Sequence, residues 1–354
     1  MRVGISLLTL VPGTSGGSET YARALTRTLA REGTLEYRAF LPKIAADAGG
    51  GLDARVVTRY RASRSLPGRI AAMSLAAAWP QPLLEAMELE SLDVVHFPLS
   101  VMIPPVKRKP AVTSVLDVQH EVHPEFFSRA ELTYRRAVYG WTVRRSQLVV
   151  TISEHAKEAL VERLGLPAEK VRVVYLAVDH DRFKPGAEER EPFLLYPANR
   201  WPHKNHARLF EAFAQVRLAH PELRLVLTGS GHAADAPDGV EVAGRVPGDE
   251  LVSLYRRAAC VVFPSLYEGF GQPPLEALAC ATPVACSDIP PLREVCGDAA
   301  VFFDPHDPEA IAAGIEQALV RRDELAAAGP PRAARFTWSE NARRHEDIYR
   351  EVGP

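Results

Sequence analysis

Short apolar runs alternate along the whole chain with longer stretches whose apolar residues recur at helical spacing. A strand covered on both faces reads as a continuous apolar run, while its crossover helix shows one apolar stripe. The alternation therefore predicts βαβ units around parallel sheets. In the first half it places strands at residues 3–8, 37–41, 94–97, 111–116, 148–152 and 172–175, with helices at 19–32, 69–87, 129–144 and 154–164. The polar, proline-bracketed stretch 179–192 then reads as an interdomain linker. The alternation restarts at once, with strands at 193–196, 225–228, 240–242, 260–263, 284–286 and 300–303 and a final helix over 337–352.

Two doubly wound α/β domains explain this order best, over residues 1–185 and 190–335, with the helix in 336–354 packing back toward the first. The length of 354 residues and the 47% apolar fraction allow two cores. A net charge of −2 gives no general polyanion-binding chemistry and no reason to expect nucleic acid as a partner. The halves differ, however: residues 1–190 carry 26 Lys and Arg against 21 Asp and Glu, and the rest carries 16 against 23. Cys260, Cys280, Cys286 and Cys296 form no Cys-x-x-Cys pair, which points to structural thiols in a reducing cytosol rather than disulfides or a metal site. The opening run is too short to span a membrane and no cleavage site follows it. It reads as the first buried strand of a soluble, cytoplasmic protein.

Chemistry concentrates after the strand at 260–263. Ser265-Leu-Tyr-Glu268-Gly-Phe-Gly271 leaves its carboxyl end, and Pro274-Leu-Glu276-Ala opens a helix. Ligands of parallel sheets bind at such ends, glycines let a backbone approach phosphate, and a helix start favours anions. Glu268 and Glu276 flank the glycine turn, and a carboxylate is a good acceptor for the vicinal hydroxyls of a sugar or ribose. The plain alternative is a strand-turn-helix with two solvated glutamates.

From residue 263 to 305 the chain resembles the C-terminal half of the retaining glycosyltransferases of family four, the mannosyltransferase-like group 1 enzymes. The pieces that carry the resemblance are Pro-Ser-Leu-Tyr-Glu-Gly-Phe-Gly, Pro-Pro-Leu-Glu-Ala, Thr-Pro-Val and Leu-Arg-Glu-Val, in the family's order. The resemblance implies a GT-B fold, in which two Rossmann-like doubly wound domains face each other across a cleft. It also implies that Glu268 contacts donor-sugar hydroxyls, that the backbone of Gly269, Phe270 and Gly271 holds sugar and diphosphate, and that Glu276 binds the nucleotide ribose. Cys280-Ala281 stands where the family usually has glycine before Thr-Pro.

The turn Asn199-Arg-Trp-Pro-His-Lys204 follows the strand at 193–196. Cations placed there would stabilise the charge that a leaving diphosphate develops. The family carries an Arg and a Lys in this turn, and Lys204 matches the Lys. Alignment on Pro202 sets Asn199 at the Arg position and Arg200 one place along, so either would contact the diphosphate; the other reading is a solvated basic turn. Leu225 to Gly231 and Gly244-Arg-Val246-Pro resemble the base pocket, where backbone near Val246 would read uridine or guanosine alike. In the first half, Gly16-Gly17 matches a glycine pair that faces the donor in the family, or is a plain turn with Ser18 capping the helix. The segment from Asp117 resembles the one carrying the family's active-site histidine, a role that falls on His120 with His123 as competitor. Ser153 reads as a helix cap.

The resemblance implies transfer with retention and without metal or cofactor, the co-substrate being a GDP- or UDP-sugar. The catalytic set would be His120, Glu268 and Lys204. Arg55, Arg59, Arg61, Arg64 and Arg69, with Arg135, Arg136, Arg144 and Arg145, make the first domain basic. That suits a glycan or lipid-linked acceptor at the inner face of an anionic membrane, or is solvated surface. Other readings are a nucleotide-sugar epimerase or a glycosyl phosphorylase of the same architecture, and a catalytically silent nucleotide-sugar-binding module.

Overall fold

In the computed structural model, which describes residues 1–14, 16–231 and 236–354, the apolar runs become two all-parallel sheets. Each sheet belongs to its own unit, residues 1–176 with 338–354 in the first and 177–337 in the second.

The first unit contains β1 (Arg2–Ser6), α1 (Gly17–Glu32), β2 (Glu36–Leu41), β3 (Asp53–Val56), α2 (Leu66–Ala78), α3 (Gln81–Ala86) and β4 (Val94–Phe97). It continues with β5 (Ala111–Ser114), α4 (Gln119–Val122), α5 (Arg129–Arg145), β6 (Leu148–Thr151), α6 (Glu154–Leu164) and β7 (Val171–Val173). Its strand order is β3-β2-β1-β4-β5-β6-β7. Every residue of β4, β5 and β6 is buried, which is why these strands read as unbroken apolar runs.

Two expectations need correction here. β3 went unread because all four of its residues are exposed at the sheet edge, so it has no apolar signal and is held by pairing with β2 alone. The single helix expected over 69–87 is α2 and α3. Ser65 caps α2 early by accepting from the Gly68 amide at 3.3 Å, and Pro80, which lacks an N–H, stands between the two helices.

The second unit contains β8 (Glu191–Pro197), α7 (His206–Ala219), β9 (Arg224–Thr228), β10 (Val240–Gly244), α8 (Gly248–Arg257) and β11 (Ala258–Phe263). Then come α9 (Gln272–Ala279), β12 (Val284–Ser287), α10 (Pro290–Cys296), β13 (Val301–Phe303), α11 (Pro308–Val320) and α12 (Arg322–Ala333). Its order, β10-β9-β8-β11-β12-β13, repeats the pattern of the first sheet. The stretch 179–192 is no bare linker. Phe183 is buried edge-on to Tyr255 at 5.9 Å, and Arg256 holds Lys184 O and Glu188. One apolar anchor in a polar stretch is enough to dock it. The four cysteines are buried thiols.

The last helix, α13 (Trp338–Val352), belongs to the first unit and packs on α1. It is fastened by polar groups. Buried Glu346 accepts from Thr34, Tyr37 and Arg350. Burial alone would raise its carboxyl, but these bonds together hold it below the usual range. A buried chain also runs from Tyr349 to His96 (2.7 Å), to Ser114 (2.8 Å), to Tyr21 (2.7 Å), to His345 (2.9 Å) and to Asn341 O (2.8 Å).

Candidate functional site

In the second sheet the strand order reverses between β8 and β11, and such a switch point opens a crevice at the carboxyl ends of the strands. The basic turn leaves β8 and the glutamate–glycine loop leaves β11, so the fold brings both to the same place. Lys204 Nζ lies 2.5 Å from Glu268 Oε1 and 4.9 Å from the Phe263 ring, with both charged side chains mostly enclosed. The Leu266 amide donates to His203 O at 2.8 Å, tying the two loops by backbone as well.

Asn205 secures this junction. It adopts the left-handed conformation (φ 59°), which asparagine tolerates better than most residues. Its Nδ2 donates to Pro264 O at 3.0 Å and Pro305 O at 2.7 Å, and its Oδ1 accepts from Arg208. The ends of β8, β11 and β13 are thus gathered by one side chain. Tyr196 donates its hydroxyl to Lys204 O and fixes the turn from below.

Past Glu268, Phe270 is buried against Phe336, and Gly271 starts α9 at φ 118°. A Cβ there would be strained by the positive φ and would also push aside the Leu292 methyl at 2.5 Å, so the conformation demands glycine. Pro273 and Pro274 have no N–H, which leaves Gly271 and Gln272 as the amide donors of this helix start. Inside α9, Glu276 accepts from Tyr255 OH at 2.8 Å, with Gln272 Nε2 at 3.5 Å. Desolvation pushes this carboxyl up to about 7, against the opposing pull of Tyr255, Gln272 and the charge of Arg182.

Asn199 and Arg200 take different environments. Asn199 Oδ1 accepts from both Ser230 N (2.8 Å) and Ser230 Oγ (2.9 Å), which pins the β8 turn to the loop after β9. Gly229 approaches the same turn so closely that a Cβ would meet Ala198 backbone at 2.8 Å. The Arg200 side chain is exposed and makes no ion pair among the described residues. Val246 sits half-buried in the loop after β10, whose Gly244 O accepts from the Gly229 amide at 2.7 Å. Residues 232–235, beyond the glycine loop at 229–231, lie outside the described residues.

In the first unit, Gly16 (φ 48°) is the residue before α1 and Gly17 opens that helix. Among the described residues no side chain caps it, and Ser18 lies within the first turn and is not a cap. Ser153, by contrast, caps α6 by accepting from the Ala156 amide at 3.0 Å. His120 is only 1% exposed, edge-on to Tyr139 at 4.9 Å and to Phe127 at 6.3 Å. Burial first, then the charges of Arg135 and Arg136, push its imidazole down to about 4, so it is neutral at ordinary pH. His123 is more exposed and holds Glu125 at 2.9 Å.

Sequence reasoning passed over Asn205, Tyr255 and Ser230. Asn205 reaches carbonyls 59 and 100 positions away, and no local pattern announces such a bond. Among the described residues no three His, Cys, Asp or Glu side chains gather as a metal centre would. No described helix is long and apolar enough to cross a membrane.

Two family models cover nearly the whole chain. Residues 15–182 match the model described as Glycosyltransferase Family 4, and residues 177–344 match Glycosyl transferases group 1. O-antigen chain mannosyltransferase B of Escherichia coli is 30% identical over 261 residues, 66% of this chain and 68% of that one. O-antigen chain mannosyltransferase RfbU of Salmonella typhimurium is 32% identical over 57% of this chain and 59% of its own length. Among solved structures, sucrose-phosphate synthase from Thermosynechococcus elongatus superposes with a TM-score of 0.77 at 18% identity, covering 99% of both chains. Anabaena HepE in complex with UDP-glucose gives 0.72 at 16% identity, over 99% of this chain and 100% of that one. At such identities the structural likeness is one of fold.

Proposed function

The chain belongs to the group 1 glycosyltransferases of family 4, with the two-domain GT-B fold, and from that premise we propose which transfer it performs. A hexosyl group, mannosyl before others, moves from a GDP- or UDP-sugar to a hydroxyl of a glycan or lipid-linked acceptor, with retention and without a metal ion. The observation that carries this reading is the Lys204–Glu268 pair at the switch point between β8 and β11. The names of the two bacterial relatives support mannose.

Each group has a task set by its chemistry. Lys204 neutralises charge on the departing diphosphate, with the Gly271 and Gln272 amides supplying neutral donors at the α9 start. Arg200, exposed and without an ion pair among the described residues, is the second cation, since Asn199 is uncharged and could offer the diphosphate only a neutral donor. Glu268 accepts from sugar hydroxyls, and its contact with Lys204 couples sugar position to phosphate charge. Ionised Glu276 accepts the ribose diol while Tyr255 holds its other oxygen. The leaving phosphate oxygen takes the acceptor's proton on the face it departs from, which preserves configuration. Gly16, Gly17 and His120 join this set on the family resemblance alone.

A thermal-shift screen of nucleotide sugars tests the reading, because a donor raises the melting temperature by mass action. The true donor stabilises wild type and is hydrolysed slowly without acceptor, whereas a silent binding module shows the shift with no turnover. Glu276→Ala loses the shift; wild-type donor affinity in that variant would sink the ribose assignment.

A further inference from the structure

The turn after β8 holds one large side chain with no task in donor binding. Trp201 stands between Arg200 and Pro202, three residues before Lys204, and is 53% exposed. It precedes the short 3-10 turn Pro202–Lys204 with φ −102° and ψ 152°, an extended backbone that any residue adopts. Among the described residues its ring meets that of His203, at 5.7 Å and tilted by 40°. Neither the conformation of the turn nor the core beneath it requires an indole. Single exposed apolar side chains are ordinary on a protein surface. This one differs by its place, in the same turn as Lys204, and by how firmly it is held.

The Trp201 amide donates to Asn199 O at 2.8 Å, and its carbonyl accepts from the Lys204 amide at 2.9 Å. His203, on which the ring rests, is buried, and His203 O takes the Leu266 amide. The indole is therefore placed before any ligand arrives. A rigid aromatic with two side-chain torsions offers a large contact area at little entropic cost.

Two flat groups take part in a glycosyl transfer, a nucleobase and a sugar ring. The base is expected near Val246, in the loop after β10, and β10 lies two strands from β8 in the sheet. Lys204 and Glu268 are only 12% and 13% exposed and enclose the donor's reacting end. Trp201 lies outside that enclosure and open to solvent, where a chain can arrive and then leave one residue longer. A pyranose turns a row of C–H bonds toward one face, and the negative face of an indole attracts those polarised hydrogens. The sugar hydroxyls then stay at the ring's edge, free for other partners.

We propose that Trp201 is a stacking platform for a pyranose ring of the acceptor, so that the acceptor is a glycan. This rests on the glycosyl transfer proposed above and names the class of its acceptor.

Calorimetric titration with oligosaccharides of mannose, glucose, galactose, rhamnose and N-acetylglucosamine, each in the presence of UDP or GDP, tests it. At least one oligosaccharide binds wild type, and its ring C–H protons move upfield as the indole ring current shields them. Trp201→Ala removes that upfield shift and raises the Kd of the oligosaccharide by roughly twofold to tenfold, the worth of one aromatic contact. Trp201→Phe loses less. Both variants keep the wild-type melting temperature and the wild-type affinity for UDP and GDP. Binding of no oligosaccharide to wild type, or equal oligosaccharide affinity in Trp201→Ala, overturns the proposal. So does a loss in Trp201→Ala that falls on the nucleotide, which would make the ring a base platform. Failure of nucleotide sugars to stabilise wild type sinks the transfer reading itself, so the two failures are told apart.

Discussion

Lys204 and Glu268 are 64 positions apart in the chain and 2.5 Å apart in space. Each residue type was readable as a candidate, but their pairing was not, since it depends on β8 and β11 being neighbours. Asn205 shows the same limit: it looks like an ordinary turn asparagine until the fold brings Pro264 O and Pro305 O to it. His120, read as an active-site histidine, is buried among Tyr139 and Phe127 with its charge suppressed. A prediction at this scale concerns Lys204. Lys204→Ala should lower kcat by about 10²- to 10³-fold, the usual loss when one preorganised donor to developing charge is removed, with donor KM changing less. Steady-state kinetics on the identified donor and acceptor check this, and an unchanged kcat removes Lys204 from the chemistry.

Among the elements, α13 illustrates what packing adds. Its helical pattern was plain in the sequence, but its role in closing the first unit depends on bonds to α1, β2 and β4. Proton positions along the buried chain follow from one carbonyl. Asn341 O accepts only, so His345 carries its proton on Nδ1 and accepts at Nε2 from Tyr21. Tyr21 must then accept from Ser114, Ser114 from His96 Nε2–H, and His96 Nδ1 from Tyr349. The two histidines are thus neutral and hold opposite tautomers. Imidazole ¹⁵N spectra should show His345 protonated on Nδ1 and His96 on Nε2, and equal tautomers would refute the chain. Tyr21→Phe should cost about 1–3 kcal/mol by leaving buried groups on both sides without their bond, measured by denaturant unfolding. β3 and the split of α2 from α3 went unread for local reasons: an exposed edge strand lacks periodicity, and an early serine cap shifts a helix start.

At the scale of the molecule, the two units should respond to acid in opposite senses. Burial lowers the pKa of His96, of His345 to about 4 and of His120 to about 4. A depressed histidine contributes stability that is present above its unfolded pKa, about 6.5, and lost as pH falls through the folded value. Glu276, raised to about 7, contributes stability present below its unfolded pKa, about 4.3, and lost as pH rises through 7. Acidifying from about pH 7.5 to about pH 5 therefore weakens the first unit and strengthens the second. Calorimetry with hydrogen exchange should show the first unit's transition falling by a few degrees while the second unit's rises. A parallel shift of both would contradict the assignment. Glu276→Gln should remove the second unit's trend.

By itself the sequence determined the class of most elements, the two repeated sheets and the family. Periodicity is local and survives any tertiary arrangement, and the segment from Phe263 to Pro305 keeps its pieces in order. Only the tertiary structure decided which buried bonds fasten α13 to the first unit, that Phe183 docks the supposed linker, and that Tyr255 holds Glu276. It also decided that one face of α2 stays uncovered. These outcomes depend on which distant side chains share a volume and which groups lose water, and nothing in a run of neighbouring residues encodes either.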